Sequence, residues 1–132
     1  MKHVEQSNMI CEFYHIMDQW LTLYEEGRSI SDILKEENCY RIAVYGMGVM
    51  GMHLIDSLKN SGVKVIYVLD EKSVEYCNGI VTKTLEDDLD VVDVVIYTNP
   101  CEKMDVIKKI KDKFSCKVIS LADVVFSNLD MK

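Results

Sequence analysis

The clearest fold signal in this chain is residues 41–51, which read RIAVYGMGVMG. The first five form a β-type run without polar alternation, which is typical of a strand buried on both faces. Glycines then recur in a G-x-G-x-x-G pattern, and apolar residues at helical spacing continue to Leu58. The stretch therefore predicts a strand, a tight turn and the start of a helix.

Each glycine of this pattern has a physical role in such a unit. Gly46 permits the tight turn, Gly48 lets the backbone approach a pyrophosphate, and Gly51 lets the helix pack closely on the strand. The N–H groups in the first turn of the helix, together with the helix dipole, favour the phosphate charge. The predicted cofactor-binding loop comprises Gly46, Met47, Gly48, Val49, Met50 and Gly51.

An acidic residue stands at the end of the next predicted strand, residues 63–69. Asp70 follows Gly51 by about twenty residues, the distance at which an acid accepts hydrogen bonds from a ribose of NAD. A 2′-phosphate would meet both Asp70 and Glu71 at close range, so we expect NAD to bind in preference to NADP. Lys72 softens this repulsion. The alternative interpretation is a nucleotide-binding shape that is empty or holds another ligand.

The rest of the chain alternates predicted strands and helices. The further segments are a strand at 80–81, a strand within 91–98, a strand at 117–120, a helix at 99–114, and a closing helix or turn at 121–129. This alternation predicts an α/β fold with a Rossmann-like parallel sheet of order 3-2-1-4-5, helices on both faces and extra N-terminal helices. Residues 1–39 are interpreted as a helical extension of the same domain, in which Ser29 and Asp32 have the spacing of a capping box that opens a short helix. Residues 40–132 are interpreted as the dinucleotide-binding Rossmann domain.

Polar residues follow the fourth strand, across the switch point of the sheet from the glycine loop. Ligands of open α/β sheets lie over the carboxyl ends of the strands, so Thr98, Asn99 and Pro100 are expected to flank the adenine or the ribose. Asn99 also has the position of a helix N-cap, with Pro100 as the first helical residue and Glu102 as the reciprocal cap. The inner face of that helix is predicted to hold Met104, Ile107, Ile110 and Phe114.

Composition places the chain among single-domain globular proteins. It has 132 residues, 48% of them hydrophobic and 28% charged, which is enough to bury a core without disulfides or metal. Fifteen basic against 22 acidic residues give a net charge of −7, which argues against nucleic-acid binding and adhesion to anionic membranes. The five cysteines form no CxxC or metal-ligand spacing. Because the chain has no apolar run long enough for membrane insertion and no signal-peptide pattern, we expect a cytoplasmic protein.

The sequence offers no recognisable catalytic set. No tyrosine has a lysine four residues later, and neither a GxSxG elbow nor an HExxH metal helix occurs. His15 and His53 have no carboxylate or cysteine partner by spacing. Only residues 121–132 follow the last predicted strand, which leaves little chain to contact a substrate. We therefore expect binding without a complete catalytic site, and the catalytic residues stay unassigned.

A broad apolar stripe marks the N-terminal helix, predicted over residues 5–26. It comprises Met9, Ile10, Phe13, Ile16, Met17, Trp20, Leu21, Leu23 and Tyr24. One interpretation is that the whole stripe packs within the monomer. The other is that part of it forms a homodimer interface, which the aromatic and methionine content favours. The stripe is wide enough for both.

Residues 29–72, with the motifs YRIAVYGMGVMG at 40–51 and YVLD at 67–70, resemble a group of small bacterial Rossmann-fold NAD(P)-binding domains. These domains occur alone or fused in polysaccharide-biosynthesis and glycosyltransferase-associated proteins. The resemblance continues through residues 92–98 and 118–124. It implies a dinucleotide or a nucleotide sugar as ligand and a place in polysaccharide or nucleotide-sugar metabolism, and it supplies no catalytic residues.

The same core also resembles the regulator domains of potassium channels, which sense NAD or adenine nucleotides. Two functions therefore stay open. One is an NAD-binding domain that serves polysaccharide or nucleotide-sugar enzymes. The other is a non-catalytic nucleotide-sensing adaptor. The acidic helical N-terminus of this chain departs from the channel regulators.

Overall fold

The structure is a computed structural model that describes residues 2–46, 48–70, 76–77 and 79–127. Its helices are α1 (Lys2–Glu25), α2 (Ile30–Glu36), α3 (Gly48–Ser57), α4 (Met104–Lys113) and α5 (Leu121–Val125). Its strands are β1 (Arg41–Tyr45), β2 (Lys64–Leu69), β3 (Tyr76–Cys77), β4 (Ile80–Lys83), β5 (Val94–Tyr97) and β6 (Lys117–Ser120). Within these residues no helix is long and apolar enough to cross a membrane.

The strands form one sheet in the order β3-β4-β2-β1-β5-β6. The five strands from β4 to β6 are all parallel, which confirms the predicted α/β fold and its 3-2-1-4-5 order. The short strand β3 pairs antiparallel with β4 at the edge and was not predicted. Strand β1 therefore lies in the middle of the sheet, where its carboxyl end adjoins those of β2 and β5.

Strand β1 is apolar because both of its faces are covered. Ile42 and Val44 join a core cluster with residues of α1, α2, α3 and α5. Ala43 and Tyr45 point to the opposite face, where α4 covers them through Ile110. Alternate side chains of one strand thus enter two separate cores, as expected for a parallel sheet between two helical layers.

The N-terminal helices pack on the first of these cores. Ile16 and Leu23 of α1 are buried in the same cluster as the sheet residues, and the Gln19 side chain donates a hydrogen bond to the Val125 carbonyl of α5 (3.1 Å). The predicted capping box opens α2, where Ser29 and Asp32 each accept a hydrogen bond from the backbone N–H of the other. The hydrogen bond from the Ser29 N–H is the largest of the effects that lower the pKa of the Asp32 carboxyl.

The predicted helix start at Asn99 is wrong. The Asn99 side chain accepts a hydrogen bond from the N–H of Cys101 (2.9 Å), and the N–H of Glu102 donates to the Asn99 carbonyl (3.2 Å). Residues 99–102 are therefore a turn with Pro100 at its second position, which proline favours. Helix α4 begins only at Met104, whose side chain is 77% exposed rather than on the inner face.

The described part of the closing segment is a short helix followed by a turn, as predicted. Helix α5 ends at Val125, and Ser127 has a positive φ of 59°, a left-handed conformation that ends helices. Residues 128–129 of the predicted segment lie outside the described residues. The start of β1 is held by Asp93, whose carboxylate accepts hydrogen bonds from the N–H groups of Tyr40 (2.8 Å) and Arg41 (2.9 Å).

Candidate functional site

A cavity of about 370 Å³ opens at the carboxyl ends of β1, β2 and β5. It is lined by Phe13, Tyr45, Gly46, Gly48, Val49, Met50, Asp70, Thr98, Asn99 and Glu102. Seven of the predicted site residues are thus in one place. Gly51 lies buried within α3, Pro100 does not reach the lining, and Met47 and Glu71 lie outside the described residues.

The turn after β1 has the left-handed backbone that its glycines were predicted to supply. Gly46 has a φ of +92°, and its N–H donates to the Leu69 carbonyl of β2 (2.9 Å). The Thr98 hydroxyl donates to the Gly46 carbonyl (3.0 Å). A Cβ at Gly46 would stand 3.2 Å from this hydroxyl oxygen, so the turn and the end of β5 fit closely together.

Gly48 has a positive φ as well, +63°, but its surroundings differ from those of Gly46. A Cβ built at Gly48 meets no atom within 4 Å, so there is open space beside this residue of the cavity lining. Gly48 is also the first residue of α3, and Val49 and Met50 continue the helix along the cavity wall. N–H groups in the first turn of a helix have no partner within that helix. The wall therefore offers backbone donors and the positive end of a helix dipole.

Asp70 stands directly after β2 at the other side of the cavity. Its backbone N–H donates to the Lys83 carbonyl of β4 (3.0 Å), which fixes the chain where it leaves the sheet. The half-buried residue also lines a second cavity of about 230 Å³, together with Tyr45, Thr84, Leu85, Glu86, Val106 and Lys109. Tyr45 and Asp70 thus separate two adjoining spaces. The sequence did not indicate the second cavity, because its residues come from the loop after β4 and from α4.

Three lining residues were not predicted as part of the site, and one of them is Tyr45 at the end of β1. Phe13 belongs to α1, and Glu102 belongs to the turn before α4. The sequence marked Phe13 only as part of an apolar stripe, and nothing in the stripe shows where on the sheet the helix packs. Glu102 adds a second carboxylate to that of Asp70. Anionic groups of a ligand must therefore be held by backbone N–H groups, whereas the carboxylates can accept hydrogen bonds from hydroxyl groups.

Buried titratable groups elsewhere in the molecule stay protonated at neutral pH. Burial raises the pKa of the Tyr67 phenol to about 12, and its hydroxyl donates to the Asp90 carbonyl (2.6 Å). Burial also raises the pKa of the Cys39 and Cys116 thiols. None of these three residues lines the cavity. In the described part of the chain, no group of three or more histidine, cysteine or acidic residues is placed to hold a metal ion.

Comparison of the chain with protein-family models and with curated protein sequences gives no match. The class of protein is accordingly defined by its architecture. It is an α/β domain with a Rossmann-like parallel sheet, preceded by a long helix, and a cavity lies at its topological switch point. Function has to be argued from the residues of that cavity.

Proposed function

We propose that this chain binds an NAD-type dinucleotide in the cavity at the carboxyl ends of its strands, with NAD(H) preferred over NADP(H). The observation that carries the proposal is the open space at Gly48 opposite Asp70 within one cavity. Backbone N–H groups and a helix start lie on one side of this space. A carboxylate at the end of the adjacent strand lies on the other.

The two sides match the two chemistries of a dinucleotide. The pyrophosphate is anionic and fits the first turn of α3, where backbone donors and the helix dipole favour it. The ribose is rich in hydroxyl groups and fits Asp70, which can accept two hydrogen bonds. The second cavity, beyond Asp70, is lined in part by Leu85 and Val106 and suits a planar base.

We propose that binding, rather than complete catalysis, is what the isolated chain does, in the service of polysaccharide or nucleotide-sugar metabolism. The metabolic context is supported by the resemblance of residues 29–72 alone. The proposal of binding without complete catalysis is supported by the described lining residues, which bring two carboxylates to the cavity but no histidine, cysteine or lysine.

A nucleotide-sensing adaptor is the second candidate, and Phe13 favours it. This side chain belongs to α1, so the wall of the ligand cavity includes a helix whose far side is exposed. A ligand in the cavity would therefore contact an element that is also accessible to partners. Both candidates bind the same ligand. They differ in the consequence of binding, which is service to an enzyme in the first and nucleotide sensing in the second.

Calorimetry against NAD, NADH, NADP, a UDP-sugar and coenzyme A tests the proposal. NAD and NADH are expected to bind, and NADP about tenfold more weakly, because its 2′-phosphate would meet the carboxylate of Asp70. Asp70→Asn should weaken NAD binding about tenfold, since a charge-assisted hydrogen bond becomes a neutral one. It should also reduce the preference for NAD over NADP.

Asp112→Asn is the matched control for Asp70→Asn. It makes the same change of charge at an exposed residue of α4, which is paired with Lys108 (3.2 Å). Binding of NAD should be unchanged in this variant. Equal losses of NAD affinity in both variants would show a general effect of charge. Binding of the UDP-sugar without binding of NAD would mean that the ligand is a nucleotide sugar and not a dinucleotide.

The absence of turnover is a separate expectation. Wild-type protein incubated with NAD and a panel of nucleotide sugars should show no change in the absorbance of reduced nicotinamide. The physical reason is that the described lining residues supply no histidine, cysteine or lysine to take the proton that a sugar hydroxyl releases when its carbon gives a hydride to NAD. Steady production of NADH with any one sugar would contradict this and would make the chain an oxidoreductase.

A further inference from the structure

A continuous row of large apolar side chains lies exposed along α1. It consists of Ile10, Tyr14, Met17, Leu21 and Tyr24, and we call it the outer row. Between 39% and 75% of each residue's surface is accessible. A monomeric soluble protein seldom leaves so many large apolar side chains together in water.

The fold of the monomer uses a different row of the same helix. Ile16 and Leu23 are buried in the core, with Phe13 and Trp20 packed against it. The structure therefore divides the broad apolar stripe of the sequence into two rows, one inward and one outward. The outer row is not needed to attach α1 to the sheet.

The spacing of the outer row is that of a coiled coil. Its members follow one another at steps of four, three, four and three residues, an average of 3.5. This is the heptad period, in which Tyr14 and Leu21 occupy one core position and Ile10, Met17 and Tyr24 the other. The same spacing keeps all five side chains on one face of α1, as packing against a second helix requires.

Space for a second helix lies beside the outer row. A groove of about 430 Å³ runs between α1 and α3 and is lined by Met17, Leu21 and Tyr24 of the outer row, by Trp20, and by His53, Asp56 and Ser57 of α3. Trp20 and His53 meet edge to face at its floor, with ring centroids 6.4 Å apart. Side chains of a helix docked on the outer row would enter this groove.

We propose that the outer row pairs in parallel with the outer row of a second copy of this chain, which forms a two-fold homodimer. A heptad row is self-complementary, because each core position meets its own copy across a two-fold axis. Two tyrosines alone contribute ~150–250 Å² each when fully buried. With Ile10, Met17 and Leu21 and the groove beside them, the surface approaches the ~800 Å² that each partner contributes to a stable interface.

Charge selects the parallel orientation. The residues that flank the outer row away from the core are Cys11, Asp18 and Glu25. In an antiparallel pair these columns would face each other and bring carboxylates together. In a parallel pair each column faces the column of Phe13 and Trp20 of the other chain, which carries no charge. Glu25 of the copy then comes to lie beside Trp20 and the His53 ring that contacts it.

Sedimentation equilibrium from micromolar to hundreds of micromolar concentrations tests the pairing. Wild type should show a mass that reaches twice the 15.2 kDa of the chain. Leu21→Glu should raise the dimer Kd by a factor on the order of 100, because it places a carboxylate in the apolar seam. Val91→Glu places a carboxylate at a residue that is 85% exposed and lies between β4 and β5, outside α1, so its dimer should match wild type.

A second substitution keeps the test valid if Leu21→Glu does not fold. Tyr24→Glu changes the most exposed residue of the outer row and should dissociate the dimer equally, with an unchanged helical circular dichroism signal. The pairing is overturned if wild type stays monomeric at the highest concentration. It is also overturned if both variants form dimers of wild-type affinity.

Disulfide trapping tests the orientation. Tyr14→Cys in a Cys11→Ser background should give a covalent dimer on mild oxidation, because equivalent core positions of a parallel pair lie within disulfide distance. The Cys11→Ser protein alone should give none. A covalent dimer that forms between a Tyr14→Cys chain and a Met17→Cys or Tyr24→Cys chain, but not between two Tyr14→Cys chains, would show an antiparallel pair and overturn the parallel arrangement, because the two different core positions face each other only when the helices run in opposite directions.

Discussion

Replacing Gly48 by alanine is expected to weaken NAD binding by a factor on the order of 100 while the protein remains folded. The new Cβ meets no protein atom within 4 Å and occupies open space at a residue that lines the cavity. There it would hold the pyrophosphate away from the backbone donors of α3, and the loss of two charge-assisted hydrogen bonds accounts for the size of the effect. Calorimetry with NAD measures it directly.

The change at Gly48 also strains the backbone, since its φ is +63° and alanine disfavours this conformation by about 1 kcal/mol. Gly27→Ala is the control for that strain. Gly27 has a φ of +83°, a Cβ there also meets nothing within 4 Å, and the residue lies at the end of α1, outside the cavity lining. Both variants should lose similar stability, whereas only Gly48→Ala should lose affinity. If Gly48→Ala binds NAD with wild-type affinity, the dinucleotide does not bind against the turn at Gly48.

The sequence predicted the centre of the sheet well because the signals there are local. An unbroken apolar run can be satisfied only by burial on both faces, and β1 has the predicted bounds of 41–45. The positive φ values of Gly46 and Gly48 follow from the same stretch, since few other residues adopt such a backbone. The capping box of α2 was equally readable from Ser29 and Asp32.

The wrong predictions share a physical cause, which is competition between local structures. Asn99 can cap a helix or close a turn with its side chain, and both use the same carbonyl oxygen of the side chain. The turn forms, with the N–H of Cys101 as donor, and it moves the start of α4 to Met104. Sequence spacing alone does not decide between two arrangements that use the same acceptor, the side-chain oxygen of Asn99.

Other parts of the site depend on tertiary packing and were not predictable from local patterns. Phe13 reaches the cavity because of where α1 packs, and Leu85 and Lys109 meet at the second cavity from separate elements. The two rows of α1 are a similar case. Their residues were all visible as one apolar stripe, but only the position of α1 on the core separates Ile16 and Leu23 from the exposed outer row.

Val44→Ala is expected to lower the free energy of unfolding by about 2–3 kcal/mol, from lost burial and the cavity left behind. Val44 is fully buried in the central strand and pairs with Val68 of β2 and Ile96 of β5, so the strands on both sides limit how far the core can close around the gap. Urea denaturation should show the loss as a lower midpoint with an unchanged slope.

The control for Val44→Ala is Val91→Ala, which removes the same atoms from a residue that is 85% exposed and should change stability by less than about 0.5 kcal/mol. Val44 stands two residues before Gly46 but belongs to the core and does not line the cavity. Folded Val44→Ala protein should therefore bind NAD with wild-type affinity, in contrast to Gly48→Ala. If Val44→Ala lowers the free energy of unfolding no more than Val91→Ala does, β1 is not the packed centre of the sheet. If Val44→Ala binds NAD more weakly but has the wild-type free energy of unfolding, β1 acts on the site directly, and not only by holding it in place.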